Sequence, residues 1–178
     1  RGLGDVYKRQ EYLHEFVRNR SRGFAYPPII GAGKNACVLH YLENNTVCKD
    51  GEMVLMDVGA EWANWNADMT RTVPVNGRFT DRQRDVYNSV LSVQRGSMDF
   101  LRPGVTQQEW RDHTIELMEI ELIKLGLIDA EEAKRQDPRD RPLVKKYYMH
   151  GIGHHLGLDV HDVGNAYEPV KELSLIHI

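Results

Sequence analysis

Four histidines lie within twelve residues of this sequence, which makes one short segment rich in groups that bind metals or transfer protons. They are His150, His154, His155 and His161, in the segment MHGIGHHLGLDVHDVG, and the whole chain has eight histidines. Neutral imidazole beside carboxylates suits a borderline divalent metal such as Mn, Co, Fe or Zn. A lone histidine is usually an ordinary core or surface residue, but this density among glycines favours a functional site.

The spacing of these histidines leaves two backbone paths open. On a helix, the i,i+4 spacing of His150 and His154 would place both on one face, as in HExxH zinc sites. The glycines between them make a helix costly, at about 1 kcal/mol each relative to alanine. We therefore predict an extended, glycine-kinked path on which His150 and His154 share a face. His161 has the opposite parity and needs a bend to join them.

Two aspartates supply candidate oxygen ligands. Asp57 and Asp68 lie in neighbouring predicted strands joined through AEWANWN. If the turn centres between Trp62 and Ala63, the two aspartates face each other with Cβ atoms about 5 Å apart. Like charges at that distance repel, and a bound divalent cation removes the repulsion. The alternative is that a bulge or a different register separates them as two ordinary solvated aspartates.

The elements that must position these residues are strands, then helices, then the histidine segment. EYLHEFVRNR begins as a helix, and ACVLHYL, EMVLMDVGAEW and NADMTRTVPV are runs of strand length. A helix is predicted over DRQRDVYNSVLSVQRGSMDFL, and Thr106 with Glu109 forms a capping box for the next helix, which ends at Gly126. This order predicts an α+β fold rather than alternating βαβ units.

Composition narrows the class of protein. The chain has 178 residues, a net charge of -3 and 41% apolar residues, enough for one domain with a sizeable core. No basic block indicates a nucleic-acid or membrane partner, and no apolar run could cross a bilayer. Cys37 and Cys48 are too few for a disulfide framework. We expect a cytoplasmic protein whose two thiols act as small apolar residues on strands.

Two long segments carry a family likeness. LMDVGAEWANWNADMTRTVPVNGRF followed by MHGIGHHLGLDVHDVG resembles the pita-bread metallopeptidases, the family of aminopeptidase P, prolidase and methionine aminopeptidase. GKNACVLHY brings the likeness closest to the bacterial Xaa-Pro aminopeptidase branch. The motifs are specific: the D-x10-D pair, T-R-T after the second aspartate, and HGxGHxLGxxxHD. The resemblance implies a partial pita-bread fold, an antiparallel sheet flanked by helices.

The resemblance also implies two divalent metal ions, with Mn(2+) expected first and Co, Fe or Zn as alternatives. Asp57 would chelate one ion, Asp68 would bridge both, and His154 would bind the second. By the same resemblance, His40 would bind substrate. His150 and His161 would be catalytic, hydrogen-bonding the substrate, stabilising the tetrahedral intermediate and relaying protons. His155 has no role in the family pattern.

The chain also departs from the family pattern. The family completes its metal site with two glutamates, whose spacing places both beyond residue 178. Glu168 precedes a proline as in the family motif, but it follows His154 too closely and is interpreted as a loop residue. We predict a partial catalytic domain over residues 11–172, with foreign or disordered ends at residues 1–10 and 173–178. The chain would then be an internal piece of a larger enzyme.

For that parent protein, the resemblance implies hydrolysis of the bond between an N-terminal residue and proline, with peptides that carry proline in second position as substrates. We expect the parent to be a homo-oligomer. We expect the fragment to be inactive because it lacks two anionic ligands. The alternatives are an Xaa-Pro dipeptidase (prolidase), which shares these motifs, and a non-catalytic binding module of the same fold. Intact Asp57, Asp68 and His154 argue against the binding module.

Overall fold

The computed structural model describes residues 4–164, and these divide into two compact units. The first unit contains residues 4–79 together with residues 154–163. The second runs from Thr80 to Gly153 and also takes in Gly164. Glu168 and the expected tail at residues 173–178 lie outside the described residues.

The first unit has one α-helix, one 3-10 helix and two three-stranded antiparallel sheets. The sheets have the strand orders β1-β4-β5 and β2-β3-β6. The elements are α1 (Asp5–Arg18), β1 (Gly23–Phe24), β2 (Ile29–Ala32), a 3-10 helix (Gly33–Cys37), β3 (Met53–Val58), β4 (Ala60–Trp62), β5 (Trp65–Asn66) and β6 (Met69–Pro74).

Three expectations change in this unit. Helix α1 begins at Asp5, so residues 5–10, which belong to the end expected to be foreign or disordered, are helical. The predicted bounds of the catalytic domain stay a prediction. The strand predicted over ACVLHYL is wrong, because this segment forms the end of the 3-10 helix and a turn. It could not have paired with β3, since β2 and β6 pair with the two edges of that strand. Neither cysteine is on a strand, since exposed Cys37 ends the 3-10 helix and buried Cys48 lies in irregular backbone.

The long hairpin between β3 and β6 has a register two residues away from the predicted one. Asp57 faces Thr70, not Asp68, and Trp62 faces Trp65 at the tip. The turn is formed by Ala63 and Asn64, both with positive φ (52° and 72°), as a two-residue type I′ turn requires. An even shift keeps every side chain on its predicted face. Asp57 and Asp68 therefore remain on the same face, as diagonal neighbours.

Gly59 marks the point where this hairpin passes from one sheet to the other. A Cβ built on Gly59 would lie 1.7 Å from the carbonyl oxygen of Ala67, so the two backbones approach more closely than any side chain permits. The Ala67 amide donates to the Ala60 carbonyl at 3.0 Å, and the Gly59 carbonyl accepts from Ala25 at 2.8 Å. Asp68 comes directly after this crossing, just before β6.

The core of the first unit lies on one side of the β2-β3-β6 sheet. Its buried members are small and medium apolar residues: Ile30, Ala32, Cys48, Val54 and Val58. Tyr12 of α1 packs against this cluster, and Phe16 of α1 meets Phe24 edge-on, with ring centroids 5.3 Å apart. Helix α1 therefore flanks the sheet through its apolar face.

The second unit is helical, and its two long helices agree closely with the sequence prediction. It contains α2 (Asp81–Phe100), α3 (Gln107–Lys124), α4 (Ala130–Arg135) and α5 (Pro142–Lys145). The predicted capping box of Thr106 and Glu109 is present. Leu122, Ile128 and Val144 form the buried core. Across residues 4–164, no helix has the length and apolarity to span a bilayer.

Candidate metal centre

A tyrosine hydroxyl joins the two aspartates that the sequence singled out. Asp57 lies within β3, Asp68 precedes β6, and Tyr26 follows β1. The Tyr26 hydroxyl lies 2.5 Å from Asp57 Oδ1 and 3.0 Å from Asp68 Oδ1. The hairpin crossing at Gly59 and the short strand β1 thus bring two carboxylates and one phenol to the same place.

The electrostatics of Asp57 and Tyr26 favour their protonated forms. Burial raises the pKa of Asp57, the hydrogen bond from Tyr26 lowers it, and the negative charge of Asp68 raises it again. The pKa of Tyr26 is raised far above its usual range, first by burial and then by its contacts with Asp57 and Asp68. A half-buried pair of acids next to a phenol that cannot ionise leaves negative charge without a positive partner. A divalent cation would remove that imbalance.

His154 adds a nitrogen donor to Asp68. Its Nε2 lies 3.1 Å from Asp68 Oδ2, and its Nδ1 lies 2.9 Å from the His155 carbonyl oxygen. Because a carbonyl only accepts, Nδ1 carries the proton in the neutral ring, and Nε2 directs a lone pair at the carboxylate. Two acceptors that face each other need a proton or a cation between them. Metal-binding histidines commonly donate their second N–H to a carbonyl in this way.

The loop that carries His154 also brings His161 beside it. The two imidazole centroids are 4.1 Å apart, with the rings tilted by 51°. The Asp162 amide donates to the His155 carbonyl at 3.0 Å, and Asp162 Oδ2 accepts from the Leu158 amide at 3.0 Å. These bonds supply the bend that His161 needs because of its parity.

Asn66 ties this loop to the hairpin. Its amide nitrogen donates to the Gly157 carbonyl at 2.9 Å, and its side-chain Nδ2 donates to the Leu158 carbonyl at 2.7 Å. The loop is therefore joined at β5 to the hairpin that carries the two aspartates. The exposed fractions of the His154 and Asp68 side chains are 36% and 26%, so the pair is accessible from solvent.

The two remaining predicted site residues, His40 and His150, take no part in the contacts described above. His40 is exposed in a turn after the 3-10 helix, and within residues 4–164 no hydrogen bond or ring contact joins it to Asp57, Asp68 or His154. His150 belongs to the second unit, where its ring meets Tyr148 edge-on at 4.7 Å and its Nδ1 lies 2.8 Å from the Gly151 carbonyl oxygen.

Comparison with known proteins assigns the family. The model of Metallopeptidase family M24 matches residues 6–174. The chain belongs to this metallopeptidase family. Xaa-Pro aminopeptidase of Escherichia coli is 41% identical over 165 residues, which cover 92% of this chain and 36% of that protein. Xaa-Pro aminopeptidase of Haemophilus influenzae is 41% identical over 155 residues, covering 87% of this chain and 35% of that protein.

Solved structures of metallopeptidases show the same fold. Proline aminopeptidase P II from Yersinia pestis superposes with a TM-score of 0.80 at 39% identity, covering 92% of this chain and 37% of that one. Zinc-substituted E. coli aminopeptidase P in complex with product gives 0.80 at 38% identity, with the same coverage. The predicted partial pita-bread fold is confirmed. The chain spans just over a third of the length of these relatives.

The donor set fits a metallopeptidase centre in kind but does not complete it. Two carboxylates and an imidazole are the ligand types that a borderline divalent metal prefers. Within the described part of the chain, no three His, Cys, Asp or Glu side chains converge as a metal-binding cluster. The Tyr26 hydroxyl links Asp57 to Asp68, and of these two aspartates His154 contacts only Asp68. Further ligands would have to complete the coordination.

Sequence analysis missed Tyr26 in this metallopeptidase. The residue lies in GFAYPPI, far along the chain from both aspartates, and nothing in that segment marks a functional tyrosine. Thr70 faces Asp57 across the ladder, and its side-chain hydrogen bond lowers the pKa of that carboxyl. Its position in T-R-T, two residues after Asp68, is the one available signal in the sequence.

Proposed function

We propose that the protein to which this chain belongs is an aminopeptidase that hydrolyses the bond between an N-terminal residue and proline, using two divalent metal ions, with Mn(2+) as the first candidate. The observation that carries the proposal is the contact series from Asp57 through Tyr26 to Asp68 and on to His154. Relatives at 41% identity that carry the name Xaa-Pro aminopeptidase support the substrate class.

Asp57, Asp68 and His154 are the residues of this chain that would hold the metal ions. When bound, two such cations lower the pKa of a shared water and polarise the scissile carbonyl. Tyr26 orients the Oδ1 atoms of both aspartates, which leaves their Oδ2 atoms for ligation. The His155 carbonyl holds the His154 ring so that Nε2 faces Asp68. The chain thus supplies part of the ligand sphere in a preset orientation.

The outer histidines complete the proposal. His161, whose ring lies beside that of His154, would pass a proton to or from a substrate bound there. We propose that His150 assists it in catalysis and that His40 binds substrate, on the strength of the family pattern alone. The cytoplasmic location and the homo-oligomeric state expected from the sequence stay predictions, which cell fractionation and size-exclusion chromatography check.

For the 178-residue chain itself we propose little or no activity. Its three donors leave a divalent ion short of the ligands it needs, so metal should bind weakly. The test compares this chain with the full-length protein on Xaa-Pro dipeptides and on longer Xaa-Pro peptides, with added Mn(2+). We expect that only the full-length protein will hydrolyse the longer peptides. Ordinary turnover by the short chain would contradict its inactivity, and cleavage of dipeptides alone would favour prolidase.

A variant series in the full-length protein tests the ligands. Asp57→Asn, Asp68→Asn and His154→Ala should each lower turnover on the order of 100-fold or more, because losing a ligand costs more than losing its outer-shell support. Asp99→Asn changes an exposed carboxylate of α2 in the same way and should keep wild-type turnover. Metal content of each purified protein is measured alongside. A wild-type protein that holds no metal and cleaves no peptide would instead be the non-catalytic binding module.

A further inference from the structure

One aspartate, Asp162, closes the loop that carries His154. Its Oδ2 accepts from the Leu158 amide at 3.0 Å, and its Oδ1 accepts from the Val163 amide at 2.8 Å. Hydrogen bonds that a carboxylate accepts from N–H groups are roughly twice as strong as those between neutral groups. Both oxygens of this side chain are therefore engaged in holding the backbone of the loop.

The backbone of Asp162 holds the carbonyl that orients His154. The Asp162 amide donates to the His155 carbonyl oxygen at 3.0 Å, and His154 Nδ1 lies 2.9 Å from the same oxygen. A carbonyl oxygen has two lone pairs, so these two donors use both of them. The imidazole keeps this bond, with Nε2 directed at Asp68, only while the loop holds the His155 carbonyl in this direction.

A glycine makes room for this carboxylate. A Cβ on Gly157 would lie 2.2 Å from Asp162 Oδ2, at the far end of a side chain that can rotate away, and 3.3 Å from Cζ3 of Trp65. By contrast, Asp159 is exposed in the same loop, and within residues 4–164 its side chain forms no hydrogen bond or ion pair. The two aspartates of the loop therefore carry the same charge but make different contacts.

We infer that Asp162 is a positioning residue for the metal centre: its carboxylate closes the loop, and its amide holds the His155 carbonyl that directs His154 to its ligand position. All of these contacts lie within the first unit. The same amide belongs to the peptide bond that follows His161, so the contact also fixes the backbone from which that ring reaches His154. The inference rests on the proposed function, because it assigns His154 to a metal.

The experiment measures the Mn(2+) dissociation constant by calorimetry in the full-length protein, with circular dichroism as the check on folding. Asp162→Asn keeps the shape of the side chain but turns one oxygen into an NH2 group, so that one backbone N–H of the loop loses its acceptor. We expect Mn(2+) binding to weaken on the order of 10-fold, as changes to groups that orient a ligand do. Asp159→Asn, the matched control, removes the same charge from the same loop and should stay within about 2-fold of wild type.

A second background separates positioning from a general loss of structure. In His154→Ala the ring that Asp162 orients is absent, while Asp57 and Asp68 remain to bind an ion. Adding Asp162→Asn to this variant should therefore change the Mn(2+) dissociation constant by about 2-fold at most. A further loss as large as the one in wild type would overturn the inference, and so would equal effects of Asp162→Asn and Asp159→Asn.

Gly157→Ala replaces Asp162→Asn if that variant does not fold, since its methyl group would displace the Asp162 carboxylate without removing it. It should weaken Mn(2+) binding in the wild-type background and leave it unchanged in His154→Ala. Equal weakening in both backgrounds would overturn the inference. A wild-type protein that binds no Mn(2+) would overturn the proposed function instead.

Discussion

The Tyr26 hydroxyl is 2.5 Å from Asp57 Oδ1 and 3.0 Å from Asp68 Oδ1, so one phenolic hydroxyl lies within hydrogen-bond distance of two carboxylates. A hydroxyl donates a single hydrogen bond, and the second carboxylate needs either its own proton or a cation. This relationship makes Tyr26 the residue that holds the two acids together while metal is absent.

Tyr26→Phe should therefore destabilise the metal-free protein by about 1–3 kcal/mol, the cost of removing one hydrogen-bond donor from half-buried acceptors. The free energy of unfolding in urea, with chelator present, measures it. Tyr147→Phe removes an exposed tyrosine hydroxyl bonded to the Leu127 carbonyl and should change this free energy by about 0.5 kcal/mol at most. Equal losses in the two variants would show that the Tyr26 contact has no special weight.

Asn66→Asp should loosen the loop that carries His154. The substitution keeps the shape of the side chain but replaces the Nδ2 donor with an oxygen, which then repels the Leu158 carbonyl it faces at 2.7 Å. We expect Mn(2+) affinity of the full-length protein to fall on the order of 10-fold. Calorimetric titration checks this. Unchanged affinity would mean that other contacts are sufficient to hold the loop.

Gly59→Ala should be among the most damaging single changes in the first unit. Its methyl group would overlap the Ala67 carbonyl, a backbone atom that cannot rotate away, and we expect a loss of about 3 kcal/mol or more in the free energy of unfolding. Gly51→Ala is the comparison, since a methyl group there meets nothing within 4 Å. Its only cost in the free energy of unfolding comes from the left-handed backbone at this residue, φ 83°. Similar losses would show that the hairpin can separate at its crossing.

Tyr148 should make stability fall in strong alkali. Burial raises its pKa to about 12, against an opposing effect of the Arg111 charge, so the folded state prefers the neutral phenol. Because the unfolded value is about 10, this contribution is intact below about pH 10 and is lost as pH rises through about 12. Urea unfolding at several pH values should show a steeper alkaline loss in wild type than in Tyr148→Phe. Tyr147→Phe, which leaves Tyr148 in place, should follow wild type.

Local patterns in the sequence were sufficient for the long helices and for the face that the aspartates share. The capping box at Thr106 depends on residues three apart, and the side of a strand on which Asp57 and Asp68 lie depends only on even spacing. Short-range rules of this kind hold whatever the rest of the chain does. The motifs around these aspartates and around His154 were likewise sufficient to indicate the metallopeptidase family, which the comparisons confirm.

Tertiary structure decided the remainder. The hairpin register depends on which two residues adopt positive φ, and in this structure they are Ala63 and Asn64. Tyr26 entered the site because β1 pairs with β4, a contact between segments far apart in sequence. The bend that brings His161 to His154 depends on Asp162 and Asn66. Such long-range contacts are set by the packing of the whole unit, and no local spacing encodes them.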